Sequence, residues 1–334
     1  MNDRPNVSQP IKIFIGSSPK NIIEEKVFRY TLQKHATSPI EIYIINGKAG
    51  SVQNVNTGEV KELPTHLIPR IKGATAFSLA RWAIPQWCGY QGRAIYCDSD
   101  QIVLRDISEL WNYDLCTSPL AAVPVKKATC FKNYRENFLK FYLNSDDDFY
   151  LASVMLFDCE KASWSFESLI NLLDEGKFSL SDLMYLGKGF RNHLKSNIRE
   201  LPNEWNHLDV ANADSKIVHF TDLTSQPWLF HHNPVSSIWE KFFLESVDQA
   251  FLSREEIVEA YSNKWISRRI MALALMNDRF RQPIDSIWRN WNAFVFLFLR
   301  FCRHFIELNF WKRQGRKLKS LLSKFRYASL IVRG

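Results

Sequence analysis

Short, β-rich apolar runs alternate with helix-spaced stretches through the first hundred residues, and this alternation leaves the chain few folds to choose from. Residues 11–15 (IKIFI) form an apolar run closed by Gly16-Ser17-Ser18-Pro19. Asn21 to His35 then reads as a helix, Ile40 to Ile45 as a strand, Thr75 to Trp87 as another helix and Ala94 to Cys97 as a short buried strand. Strand and helix in succession predict βαβ units, hence an α/β sheet. Runs at Leu120–Val125, Val154–Phe157 and Ile217–Phe220 predict further strands, with helices near Arg135–Tyr142 and Phe166–Leu173 between them. After residue 232 the pattern turns helical over Ser236–Leu252 and Arg254–Met276, and Pro283 breaks it. The expected organisation is one α/β unit over 1–232, a helical segment over 233–284 packed on it, and a tail over 285–334.

Charge separates the tail from the body. Residues 300–334 hold ten Lys/Arg against the single acid Glu307, so this segment carries +9 and residues 1–299 carry −1 of the formal +8. A basic groove for nucleic acid across the globular part is therefore not expected. Aromatic and aliphatic residues recur at three- and four-residue intervals from Trp288 to Leu308, and Leu318, Leu321, Leu322 and Phe325 stand among lysines and arginines. That pattern predicts an amphipathic tail over residues 285–334, in which 288–308 suits packing on the protein's own body and an anionic membrane surface equally and 312–326 favours the membrane. The run Ala293–Leu299 falls far short of the ~20 residues needed to span a bilayer. Six cysteines without a CxxC pair, and a first decad (MNDRPNVSQP) without an apolar stretch, place the expected location in the cytoplasm, peripheral at the inner face of the membrane.

The chemistry concentrates in Arg93–Trp111, RAIYCDSDQIVLRDISELW. Asp98 and Asp100, one residue apart, stand at the carboxyl end of an apolar strand, the edge where open α/β sheets bind ligands. Two aspartates so placed hold a hard divalent cation through oxygen and leave positions for water and a diphosphate. By contrast, Asp146-Asp147-Asp148 follows no buried strand and reads as a solvated loop, and His231-His232 as surface residues.

The stretch Asp98-Ser99-Asp100 followed by Asp106-Ile107-Ser108-Glu109-Leu110-Trp111 resembles the Asp-x-Asp segment of GT-A glycosyltransferases, specifically the retaining family 8 that includes glycogenin and the lipooligosaccharide galactosyltransferases. The resemblance runs along most of residues 11–230. It implies a GT-A, Rossmann-like mixed central sheet flanked by helices, here with a helical C-terminal extension. It also implies a nucleotide-sugar donor, UDP-linked by expectation, a glycan or lipid-linked acceptor, retention at the anomeric carbon, and Mn2+ or Mg2+ as cofactor.

Carried over residue by residue, the resemblance makes Asp98, Asp100 and His219 the metal ligands, His219 lying in Lys216–Trp228 (KIVHFTDLTSQPW) where the family has a late histidine and then Gly-x-x-Lys-Pro-Trp. Asp222 replaces that glycine, Gln226 stands where the lysine is usual, and Pro227-Trp228 lies one residue farther on. Gly16, Ser17 and Ser18 occupy the loop that meets the nucleoside, and Arg81 in Phe77–Trp82 matches an arginine that reaches the nucleotide-sugar. Ser99, Ser153, Gln226 and Trp228 complete the candidate donor-binding set. Tyr150–Cys159 resembles the strand lining the sugar pocket, with Leu151 and Ser153 replacing the family's asparagine and glycine. Asp182 is the acid that survives from an Asp-Gln-Asp region, Leu180 and Ser181 replacing the first two, and it joins Asp98 and Asp100 as a candidate catalytic carboxylate. Leu201–Asn206 matches a Leu-Pro-x-x-Trp-Asn element near the acceptor side. A rival class, a non-catalytic sugar-nucleotide or glycan-binding module, draws on the replacements at Leu151, Ser181 and Gln226.

Overall fold

The structure is a computed structural model that describes residues 9–71, 75–130, 143, 147–194 and 197–276. The expected helix at Arg135–Tyr142, Asp146, the Pro283 break and the tail over 285–334 lie outside the described residues.

Eight strands form the main sheet: β1 (Ile11–Ser17), β2 (Ile40–Asn46), β3 (Ser51–Asn54), β4 (Val60–Glu62), β5 (Arg93–Asp98), β7 (Leu120–Pro124), β8 (Tyr150–Asp158) and β9 (Arg199–Glu200). Their order is β4-β3-β2-β1-β5-β8-β7-β9. Here β1 is parallel to both β2 and β5, and β8 runs antiparallel to β5 and to β7. The chain leaves β1 through the helix Ile22–His35 to β2 on one side and returns to β5 on the other. Its topological switch point is therefore the carboxyl ends of β1 and β5, where Gly16 stands opposite Asp98. A second sheet, β10 (His207–Leu208), β11 (Ile217–His219) and β6 (Gln101–Val103), begins immediately after the acid pair.

Alternation along the strands supplies two cores. Phe14, Ala94 and Tyr96 face one side of the main sheet with Trp82 and Phe157. Ile13, Ile15, Ile95 and Cys97 face the other. Such strands, buried on both faces, read in sequence as continuous apolar runs. A third core joins Ile23, Val27 and Tyr30 of the first helix to Ile102, Val218 and Phe220 of the small sheet and to Trp239, Phe243, Ile257 and Ile270. Buried Arg269 donates two bonds to Glu240, at 2.9 and 2.7 Å, tying the helices Arg268–Leu275 and Ser236–Asp248 together.

Two expected helices are divided. Thr75–Trp87 is helical over Ala76–Ala80, tightens to a 3-10 turn at Arg81–Ala83 and resumes over Ile84–Trp87. Pro85 has no N–H to give the preceding turn, which loosens the ladder there. Arg254–Met276 is two helices, Arg254–Ser262 and Arg268–Leu275. Lys264 adopts a left-handed φ of 61°, and the Ser267 hydroxyl caps the new start by accepting from the Ile270 N–H. The β3–β4 hairpin was not expected: Asn54 closes its turn by accepting from the N–H groups of Asn56 and Thr57, a local bond that a periodicity reading does not register.

Candidate metal and donor site

Asp98 closes β5 and Asp100 ends the turn that leads into β6. Gln101, the first residue of β6, pairs with His219, the last of β11, and the Phe220 N–H donates to the Asp100 carbonyl at 2.9 Å. The junction of the two sheets thus delivers a histidine from far along the chain to the acid pair. Ligand atoms of Asp98, Asp100 and His219 all lie within 4.8 Å of one another. His219 Nε2 is 3.0 Å from Asp100 Oδ1, and Nδ1 is 3.3 Å from Asn206 Oδ1.

Asp98 and Tyr96 are two residues apart on one strand face, so the Tyr96 hydroxyl reaches back to donate to Asp98 Oδ1. The Arg81 guanidinium lies over the Tyr96 ring at 4.5 Å, donates to the Ala152 carbonyl and sits 3.6 Å from Asp98. Burial raises the Asp98 pKa, with the Asp100 charge adding to the rise and Arg81 opposing it. For His219, burial alone would lower the pKa, but the Asp100 carboxylate, backed by Asp98 and Asp209, reverses this and the net shift is upward. Asp98 and His219 are thus both shifted toward their protonated forms, and a divalent cation bound there would take the place of those protons.

The remaining candidates divide. Ser153 stands next to the cluster: the β7–β8 pairing shifts register between Ala122 and Val123, and this irregularity leaves Ala152, Ser153 and Val154 without a β7 partner. Its hydroxyl accepts from Asn206 Nδ2 at 2.8 Å and its carbonyl from Gln101 Nε2 at 2.9 Å. The Ser17 hydroxyl is buried without a protein partner at the end of β1, and Ser99 is buried in the turn between the acids. Ser18 instead donates to Asn21 Oδ1 at 2.5 Å, at the start of the first helix. Gly16 gives clearance: a Cβ there would meet the Tyr96 hydroxyl at 2.3 Å and Phe77 at 2.5 Å, so the space beside it belongs to the protein.

Three candidates have partners within the protein. Trp228 is buried in the third core against Phe220 and Trp239, its ring centroid 5.5 Å from that of Trp239. The buried Gln226 amide donates to the Phe220 carbonyl at 3.3 Å, closing its own loop. Asp182 caps the short helix Leu180–Met184, accepting from the Ser179 N–H at 3.0 Å and hydroxyl at 2.7 Å. It lines a cavity of about 620 Å³ with Arg70, Leu79, Phe178 and Leu180, and none of Asp98, Asp100 or His219 lines it. In each case local hydrogen bonding or packing takes up the side chain. Asp147, expected in a solvated loop, pairs with Arg191 at 2.7 Å.

Sequence reasoning passed over Tyr96, Asp209 and Glu24. Asp209, at a left-handed φ of 55°, is fully enclosed and accepts from the Thr221 N–H and hydroxyl, the Asp222 N–H and Asn233 Nδ2. It thereby shapes the loop after His219. Glu24, in the first turn of the first helix, is raised to about 8 by burial; Asn21 Nδ2 donates to Oε1 at 2.6 Å while Oε2 has no partner. Asn-x-x-Glu at a helix start has the spacing of a capping box, and here it pairs the two side chains, Asn21 making no side-chain bond to the helix backbone. Nothing local marked Asp209, whose partners come from a loop twelve and more residues away.

A family description, Glycosyl transferase family 8, matches residues 34–241, more than half of the chain. Among solved structures, the galactosyltransferase LgtC in complex with donor and acceptor sugar analogues superposes with a TM-score of 0.50 at 11% identity, covering 70% of this chain and 95% of that one. The bifunctional glycosyltransferase WbbM aligns with a TM-score of 0.48 at 16% identity, over 73% of this chain and 50% of that one. Protein CDI of Arabidopsis thaliana is 28% identical over 109 residues, 33% of this chain. The match spans 39% of that curated relative's length.

Proposed function

This chain belongs to glycosyl transferase family 8, and from that premise we propose that it transfers a sugar from a nucleotide diphosphate donor, UDP-linked, to a glycan or lipid-linked acceptor with retention of anomeric configuration. The observation that carries the reading is the convergence of Asp98, Asp100 and His219 within 4.8 Å at the carboxyl edge of the switch point. Two carboxylates and one imidazole are a donor set suited to Mn2+ or Mg2+. Such an ion, when bound, supplies Lewis-acid neutralisation of the departing diphosphate.

The protein's own groups prepare that chemistry. Tyr96 holds one Asp98 oxygen and leaves the other free, and the enclosed Arg81 adds a fixed positive charge at the same sheet edge. Preorganised charge of this kind acts without reorganisation as negative charge develops on the leaving group. With glutamine at position 226, the loop after β11 brings no lysine, and Arg81 is a cation that the described residues place at this site for the donor. Asp182, engaged in capping, is assigned no nucleophilic role. The basic, aromatic composition of residues 285–334 supports attachment to the inner, anionic face of a membrane beside a lipid-linked acceptor. Among the described residues no helix is long and apolar enough to cross a membrane.

The test pairs binding with turnover. UDP is titrated calorimetrically with and without Mn2+, and donor hydrolysis and transfer are followed for wild type, Asp98→Asn and Asp100→Asn. Mn2+-dependent UDP binding is expected, with each substitution lowering turnover at least ~100-fold. Unchanged turnover in both variants would refute the metal reading, and binding without any turnover would favour the non-catalytic module.

A further inference from the structure

His219 can present a lone pair at Nε2 only if its neutral ring keeps the proton on Nδ1, and the group facing Nδ1 decides that. That group is the Asn206 carboxamide. Asn206 is completely buried, and its oxygen stands 3.3 Å from Nδ1. Its own N–H donates to the Asn203 carbonyl at 2.9 Å, which anchors the backbone, and its Nδ2 donates to the Ser153 hydroxyl at 2.8 Å. Ser153 is itself held through its carbonyl by Gln101, the register partner of His219. A closed set of contacts thus runs from the imidazole through Asn206 and Ser153 to Gln101 and back across the small sheet.

We propose that Asn206 is a positioning residue that fixes the Nδ1–H tautomer of His219, and that Ser153 keeps the Asn206 carboxamide turned with its oxygen toward the ring. An alanine or leucine at 206 offers Nδ1 no acceptor, and the ring is then free to carry its proton on Nε2, facing Asp100, where it excludes a cation. Ser153 acts one step farther out: without its hydroxyl the buried amide NH2 has no acceptor, and the carboxamide gains from turning over. This inference rests on the reading that Asp98, Asp100 and His219 hold a divalent cation.

Mn2+ binding to the full-length protein without donor, followed by the electron paramagnetic resonance signal of free Mn2+, tests it. The variants are Asn206→Leu, Asn206→Asp, Ser153→Ala, Asp100→Asn and His219→Gln. Nitrogen-15 spectra of histidine-labelled, Mg2+-loaded protein read the protonation of each ring nitrogen, with His219→Gln giving the assignment. Asn206→Leu is expected to weaken Mn2+ binding about 10- to 100-fold and to remove the His219 Nδ1–H resonance. Asn206→Asp, whose carboxylate accepts the same proton, is expected to stay within about threefold of wild type, and Ser153→Ala to lose about three- to tenfold. The proposal falls if Asn206→Leu binds Mn2+ as wild type does, or if Asn206→Asp is as weak as Asn206→Leu, since shape and not an acceptor would then matter. Should Asn206→Leu not fold, the Asn206→Asp and Ser153→Ala measurements and the wild-type spectrum decide. Wild-type protein that binds no Mn2+ overturns the metal reading itself, whereas binding lost in Asp100→Asn but kept in Asn206→Leu removes only this inference.

Discussion

Asp98, half-buried, and Asp209, enclosed, are carboxylates near the same imidazole, and they dispose of their lone pairs in opposite ways. Asp209 accepts four hydrogen bonds from Thr221, Asp222 and Asn233 and has become part of the scaffold. Asp98 accepts one from Tyr96, stands 3.6 Å from Arg81, and keeps the capacity that a cation needs. Burial raises the pKa of both, so a raised pKa does not separate a ligand from a scaffold acid here. Uncommitted acceptor capacity does.

Glu24 is the sharpest trial of that distinction, being half committed. Its carboxyl keeps a proton up to about pH 8 in the folded protein, against an ordinary value of 4.5, so the unfolded chain binds fewer protons across that interval. Stability therefore falls as pH rises from about 4.5 to about 8 and levels off above. Glu24→Gln removes this titration. At pH 9 the variant is expected to exceed wild type by about 3 to 5 kcal/mol in urea unfolding, with near-equal stability at pH 4.5. Equal stabilities at pH 9 would place Glu24 among the charged, satisfied acids.

Asp209→Ala is expected to cost about 2 to 4 kcal/mol of stability, because it strands two backbone N–H groups and takes from the Asn233 amide one of its two acceptors. Mn2+ affinity, measured in protein still folded, should change less than in Asp100→Asn. The reverse ranking would make Asp209 part of the metal site and dissolve the contrast. The smallest effect expected is at Gln226. Its amide is committed to the Phe220 carbonyl, so Gln226→Ala should alter UDP affinity by less than about threefold, and a tenfold loss would show that the amide turns toward the donor.

Much of this architecture was legible because it is local. The βαβ start shows in Ile11–Ile15 and in the helix from Asn21 to His35, since a strand buried on both faces must be apolar throughout and a helix must bury one stripe. The acid pair at the end of β5 was visible for the same reason, an apolar run ending abruptly in charge. Trp228 and Gln226 show that motif position does not say which way a side chain turns. Trp228 packs on Trp239 of a later helix, a contact between segments that no local pattern links. The splits at Pro85 and Lys264 came from single-residue backbone features inside windows whose spacing remained helical.

The sequence by itself determined the α/β class, the acids at a sheet edge and the family. Tertiary structure decided the meeting of His219 with Asp98 and Asp100, the orientation of its ring by Asn206, and which polar groups have acceptor capacity left. Secondary structure follows from periodicities of a few residues, which a sequence displays directly. Whether a buried carboxylate is satisfied depends on donors carried in from distant segments, and only the folded chain brings those together.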